Sequence, residues 1–217
     1  MKRFERLRTW VFDLDHTLYP PAMRLFDQIE VKMTDFVMRT AGVARAEADS
    51  LRHTWWMEHG TTLAGLMHHH DIDADAYLHE VHDISFDALA PDPHLAELIA
   101  QLPGRKIVYT NGSAPYAAQV LKARGLEDAF DAIYGVEHAG YVPKPLPEAF
   151  DAVFALDRLD PSSAVMFEDD PRNLKVPHAL GMATVHVAPE PAPAEHIHHH
   201  TDDLNSFLSG VLKYTSR

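Results

Sequence analysis

The sequence predicts an α/β protein, a doubly wound parallel sheet carrying an inserted block of helices. Three observations lead there. Apolar runs alternate with helical patterns through the second half of the chain, as strand–helix–strand units do. Residues 21–88 carry helical periodicity and interrupt that alternation after a single strand. The predicted strands end in polar residues, and ligands bind such sheets at the carboxyl ends of strands.

The first strand lies in "TWVFDLDHTL", residues 9–18, and runs into a polar loop. From Arg24 the pattern changes: Phe26, Ile29, Met33, Phe36 and Val37 recur at helical spacing. A second helix spans Ala44 to Glu58 and ends at Gly60. Thr61 caps a short apolar helix through Met67, and "DADAYLHEVHDI" is another. "RKIVYTN" is a strand. Ser113 caps the helix "APYAAQVLKARG", closed by Gly125. "FDAIYG" is a short strand, and "LPEAFDAVFALDRL" is a helix with proline near its start. "SAVMFED" is a strand, "PRNLKVPHALG" a helix distorted at Pro177, and "MATVHVA" the last strand. "APEPAPAEH", residues 188–196, is a surface connection, and "TDDLNSFLSGVLKY" a closing amphipathic helix. The expected division is a core of residues 1–20 and 89–217 with a helical cap of residues 21–88.

A length of 217 residues suits one large domain or a core with an insertion, and 46% apolar content suits a soluble globular protein. Cysteine is absent, which excludes disulfides, a thiol nucleophile and cysteine metal sites and fits a cytoplasmic location. The start, "MKRFERLRTW", has no apolar signal-peptide core, and no run is long enough to span a membrane. A formal net charge of −13 argues against a nucleic-acid polymer or an anionic membrane as partner. A small phosphorylated ligand remains open, provided local cations hold it.

The strand ends supply the chemistry. The first delivers Asp13 and Asp15, the second Thr110 and Asn111, and a later one Glu168, Asp169 and Asp170, with Asn173 following. The loop "YVPKP" adds Lys144. Residues two apart on a strand face the same way. Two unit charges at about 4 Å repel by roughly 4 kcal/mol at an effective dielectric of 20. A hard dication with oxygen ligands such as Mg²⁺ relieves this, and Lys144 adds positive charge. Asp13 could then attack phosphorus, and Asp15 could protonate the leaving oxygen and later activate water. Thr110 and nearby backbone N–H groups could hold phosphate oxygens, beside the N-terminus of the Ser113-capped helix.

"FDLDHTL", "YTNGS", the lysine of "PKP" and "FEDDPRN" resemble, in order, the four motifs of the haloacid-dehalogenase-like hydrolase superfamily. The resemblance covers nearly the whole chain and implies a Rossmann-like core with a cap. It implies that Asp13 is the nucleophile, Asp15 the general acid/base, Thr110 (with Asn111 and Gly112) the phosphate binder and Lys144 the charge stabiliser. Asp13, Asp169 and the backbone carbonyl of Asp15 would hold Mg²⁺. Matching Glu168–Asp169 to the family's acidic pair sets Asn173 four residues beyond Asp169, and Asp169–Asp170 is the alternative pairing. The family's dehalogenases lack an acid two residues after the nucleophile, so Asp15 favours a phosphatase or phosphomutase.

"WMEHGTTLAGLMHHHDID", "HTLYP" and "MFEDDPRNL" resemble the pyrimidine 5'-nucleotidase-like branch. That implies hydrolysis of nucleoside monophosphates such as UMP or CMP by a monomer or homodimer. The rivals are a phosphatase or phosphomutase for a sugar phosphate or phosphoglycolate, and a catalytically silent phospholigand-binding protein. His16, Thr61 and Thr62 are candidates for substrate contact. "DIDAD" lacks the glycine and glutamate of a calcium loop and reads as a helix start. The histidine runs 68–70 and 198–200 read as solvated surface. Trp55, Trp56 and Met57 read as cap core, with room for one of them to reach the cleft.

Overall fold

The computed structural model describes residues 2–215. Its six-stranded sheet has the order β3-β2-β1-β4-β5-β6, and all neighbouring strands are parallel. The strands are β1 (Thr9–Phe12), β2 (Arg105–Tyr109), β3 (Ala132–Tyr134), β4 (Ala164–Glu168), β5 (Ala183–Val187) and β6 (His199–Thr201). β1 is central and wholly buried, as a strand covered on both faces must be. Phe12 is in register with Val108 on one side and Phe167 on the other. Residues just beyond these three strands therefore meet at one edge of the sheet.

Four helices separate β1 from the rest of the core: α1 (Leu25–Ala41), α2 (Arg45–His59), α3 (Thr62–His69) and α4 (Ala74–Val81). The Thr61 hydroxyl caps α3 by accepting from the Ala64 N–H at 3.1 Å, and Asp73 caps α4 through the Ala76 N–H at 3.1 Å. α2 and α3 pack closely where Gly65 meets Trp55, since a Cβ at position 65 would collide with the indole. α5 (Pro93–Gln101) leads back into β2. α6 (Ala114–Arg124), α7 (Pro147–Asp157), α8 (Lys175–Ala179) and α9 (Leu204–Thr215) complete the α-helices among the described residues. Alternating strand residues feed two cores. Trp10, Phe12 and Phe167 pack with α5, α6 and α9, and Val11, Ile107, Tyr109 and Met166 with α7.

Three expectations are corrected. "MATVHVA" is not the last strand, because His199–Thr201 adds β6 beside β5 in parallel register. The second histidine run is accordingly part of the fold rather than a solvated surface. The His200 Nε2 lies 2.8 Å from the Ala188 carbonyl, and the His198 Nδ1 lies 2.7 Å from the Thr184 hydroxyl. Imidazoles that bond backbone and hydroxyl groups give no alternation of apolar and polar residues, so the strand has no sequence period. Lastly, Trp55 is buried as cap core, but Trp56 and Met57 are exposed. Among the described residues, no helix is long and apolar enough to cross a membrane.

Candidate active site

A cavity of 540 Å³ opens where the strand ends face the inserted helices. Asp13, Asp15, Thr110, Asn111, Gly112, Lys144 and Asp169 all line it, as do His16, Thr61 and Thr62. The sequence-predicted residues are thus brought to one place from positions more than 150 apart in the chain.

Lys144 organises the centre. Its Nζ donates to Asp13 Oδ1 at 2.7 Å, to Glu168 Oε1 at 2.7 Å and to the Tyr109 carbonyl at 3.1 Å, which uses all three ammonium protons. Burial alone would lower the Lys144 pKa, but the charges of Asp13 and Glu168 outweigh it and the pKa rises. The Asp13 N–H donates to the Phe167 carbonyl at 2.9 Å, extending the β1–β4 ladder and fixing the residue at the sheet edge.

The carboxylates crowd one another. Burial, then the neighbouring Glu168 charge, pushes Asp13 well above the ordinary carboxylate range, with Lys144 opposing. Burial, then Glu168 and Asp13, does the same to Asp169. Asp13, Glu168 and Asp169 each offer an oxygen within 4.8 Å of the others. Glu168 is already committed: Oε1 also accepts from Asn173 Nδ2 at 2.6 Å, and Oε2 accepts from the Asp170 N–H at 2.8 Å. Asp170 turns away to accept from the Arg172 N–H and guanidinium. Asp13, buried, and Asp169, half-buried, are left as crowded oxygen donors, and that donor set fits a hard divalent cation.

Asp15 lies beside them. Both Tyr19 (2.5 Å) and Tyr116 (2.6 Å) donate to its Oδ1. Burial raises its pKa, and the two phenol hydrogen bonds oppose that. His16 adopts a left-handed φ of 61° and places Nδ1 3.5 Å from Asp169 Oδ2.

Two features bear on the expected phosphate contacts. The Asn111 side chain spends both polar atoms on the Lys144 backbone: Nδ2 donates to the carbonyl at 3.0 Å, and Oδ1 accepts from the N–H at 2.8 Å. It ties down the lysine loop at the cavity wall. The N-terminus of α6 is partly satisfied within the protein, because the Ala114 N–H donates to Glu137 Oε1 at 2.8 Å and the Tyr116 N–H to the Ser113 hydroxyl. The Gly112 N–H donates to Thr110 Oγ1 at 2.9 Å, which shapes the turn after β2. Sequence reasoning missed Tyr19, Tyr116 and Glu137, whose partners lie elsewhere in the chain or in a turn with no pattern of its own. It also missed the Arg172 guanidinium stacked 3.7 Å from the Trp56 ring centroid at the cavity wall.

His82, at the end of α4, stacks on Tyr116 with centroids 4.2 Å apart. Burial lowers its pKa to about 4. An unfolded histidine titrates near 6.5, so between these values the unfolded chain binds the extra proton. The His82 contribution is complete above about pH 6.5 and is lost as pH falls toward 4. At pH 5 the expected loss is about 2 kcal/mol. Denaturant unfolding of wild type and His82→Gln at pH 7 and pH 5 checks this. An equal pH dependence in the two proteins refutes it.

Comparison with known proteins bears on the fold and the family. The family model described as haloacid dehalogenase-like hydrolase matches residues 7–181. Phosphate metabolism protein 8 of Saccharomyces cerevisiae is 26% identical over 195 residues, which cover 83% of this chain and 60% of that protein. The chain therefore spans about 60% of the length of this curated relative. The solved structure of a HAD phosphatase from Thermococcus onnurineus superposes with a TM-score of 0.60 at 19% identity, covering 94% of this chain and 98% of the other. A 2-haloacid dehalogenase from Pseudomonas syringae superposes with a TM-score of 0.59 at 22% identity, covering 96% and 99%. These structures share the fold across different chemistries. With the family model matched over most of its length, the chain belongs to the haloacid dehalogenase-like hydrolases.

Proposed function

We propose that the protein is a Mg²⁺-dependent phosphomonoester hydrolase that works through an aspartyl-phosphate and acts on nucleoside monophosphates, with pyrimidine nucleotides preferred. The observation that carries the reading is Asp15, a second acid on the same cavity wall as the lysine-bound Asp13. A dehalogenase has no use for a proton donor beside its nucleophile, but a phosphatase must protonate an alkoxide leaving group.

In this reading a carboxylate oxygen of Asp13 attacks phosphorus while the ester P–O bond breaks. Asp15 gives its proton to the departing oxygen. It then takes a proton from water, whose oxygen attacks the aspartyl-phosphate and releases phosphate and free Asp13. Thr110 and the backbone around Gly112 bind phosphate oxygens, and Lys144 holds Asp13 in place and offsets its charge. Asp13, Asp169 and the Asp15 carbonyl would hold Mg²⁺, which supplies positive charge next to the phosphoryl oxygens. The inserted helices screen the reaction from bulk water.

The substrate class rests on the cap. The cavity wall there carries Phe26, His53 and Trp56, flat or apolar groups suited to a nucleobase, with Thr61 and Thr62 as polar contacts. The resemblance of residues 56–73 to the nucleotidase branch supports the same choice, and a relative named for phosphate metabolism fits a phosphate ester. The cysteine-free composition suits the cytoplasm.

Phosphate release from UMP, CMP, AMP, phosphoglycolate and sugar phosphates tests the reading. Release is expected with Mg²⁺, is abolished by EDTA, and is fastest for UMP and CMP. Faster release from a sugar phosphate keeps the chemistry and overturns the nucleotidase assignment. No release from any ester by folded, Mg²⁺-supplied protein overturns both.

A further inference from the structure

Asp15 lies between two buried phenols. Tyr19 comes from the loop between β1 and α1, and Tyr116 from the first turn of α6. Each ring is 1% exposed, and both hydroxyls donate to the same oxygen, Oδ1, at 2.5 and 2.6 Å. A phenol carries one O–H, and each tyrosine gives it to Asp15. A carboxylate oxygen has two lone-pair sites in the carboxyl plane. Two donors fill them on Oδ1 and leave Oδ2 as the oxygen able to carry a proton.

We infer that Tyr19 and Tyr116 are positioning residues that fix the Asp15 carboxyl group so that only Oδ2 exchanges protons with substrate and water. The inference rests on the proposed role of Asp15 as acid and base. Without the phenols the carboxyl group is free to rotate about χ2, and the proton is no longer aimed. Tyr116 is itself braced. His82 stacks on it at 4.2 Å with planes 8° apart, and His82 Nδ1 lies 3.1 Å from the Ser113 hydroxyl. His82 ends α4, the last of the inserted helices, so the chain returning from the insertion rests on the ring that holds the acid.

The leaving group separates positioning from mere packing. A primary-alkyl phosphate needs a proton on its departing oxygen, and p-nitrophenyl phosphate does not. The test compares kcat/KM for these two ester types in wild type, Tyr19→Phe, Tyr116→Phe, the double variant and Asp15→Asn. UMP, or whichever sugar phosphate is turned over faster, serves as the alkyl ester. Thermal melts confirm that each variant is folded, and either single variant suffices if the other is not. General acid catalysis contributes about 10²–10⁴-fold. Each tyrosine variant is expected to lower the alkyl-to-aryl ratio about 10-fold and the double variant about 100-fold, approaching Asp15→Asn. A wild-type ratio in the folded tyrosine variants, with a collapsed ratio in Asp15→Asn, overturns the inference and leaves the proposed function standing. A wild-type ratio in Asp15→Asn overturns the acid role of Asp15, and the inference with it.

Discussion

Asp13→Asn protein is expected to release phosphate at least about 10³-fold more slowly than wild type, with its fold intact. Asparagine has nearly the shape of aspartate, and its amide oxygen can still accept from Lys144, which now donates to Asp13 Oδ1 at 2.7 Å. The Asp13 N–H bond to the Phe167 carbonyl does not involve the side chain and persists. The amide cannot act as the nucleophile. Stability gives a second readout of opposite sign. The Asp13 pKa is raised in the fold, first by burial and then by Glu168. A raised carboxyl pKa means that the stability it confers is complete below the unfolded value near 4 and is lost as pH rises through the folded value. Metal-free Asp13→Asn therefore escapes this loss, and at neutral pH it should melt at or above the wild-type temperature. Added Mg²⁺ should raise the melting temperature of wild type more than that of the variant, because a ligand stabilises the folded state it binds. Turnover near the wild-type rate in clean Asp13→Asn protein removes Asp13 as nucleophile.

The parts of the site that were legible in the sequence share one property. Asp13, Thr110 and Asp169 each follow an apolar run by one or two residues, and a parallel sheet brings strand ends together whatever the details of packing. Lys144 was legible only through its flanking prolines and its order among the other motifs. Tyr19 and Tyr116 were not legible as partners of Asp15. Tyr116 lies 101 residues away from Asp15, and at helical spacing a tyrosine reads as core, which by burial it also is. Asn111 stood in the expected place, but its side-chain partner, the Lys144 backbone, lies 33 residues on. α5 and β6, neither of which the sequence reading placed, differ in kind. α5 carried local signals, since Asp92 caps it at the Leu95 N–H, Pro93 opens it, and Leu95, Leu98 and Ile99 lie on its buried face. β6 carried none, because its three residues are half-buried and held by an edge pairing that exists only once β5 is in place.

Lys144→Met should lose both activity and stability, which distinguishes it from Asp13→Asn. Methionine matches the length of the stem but leaves Asp13 and Glu168 facing each other without a cation. Lys144 is 1% exposed, so water cannot take over its role. Removing one partner of a buried ion pair typically destabilises by about 3–5 kcal/mol, because the remaining charge stays desolvated. Glu168 keeps the Asn173 and Asp170 hydrogen bonds, which softens the loss on its side. Asp13 keeps no such compensation, so its pKa should climb further. The variant should then be most stable in mild acid and lose stability as pH rises toward neutrality, when the Asp13 carboxyl is driven to ionise. Denaturant unfolding from pH 5 to pH 8 reads this directly, and phosphate release reads the loss of the aligned nucleophile. Mg²⁺ should restore part of the stability and little of the turnover. A cation near Asp13 and Asp169 relieves the repulsion, but it does not replace the Lys144 hydrogen bond that orients Asp13. Wild-type stability at pH 8 without metal would mean that the ammonium is not what balances these charges.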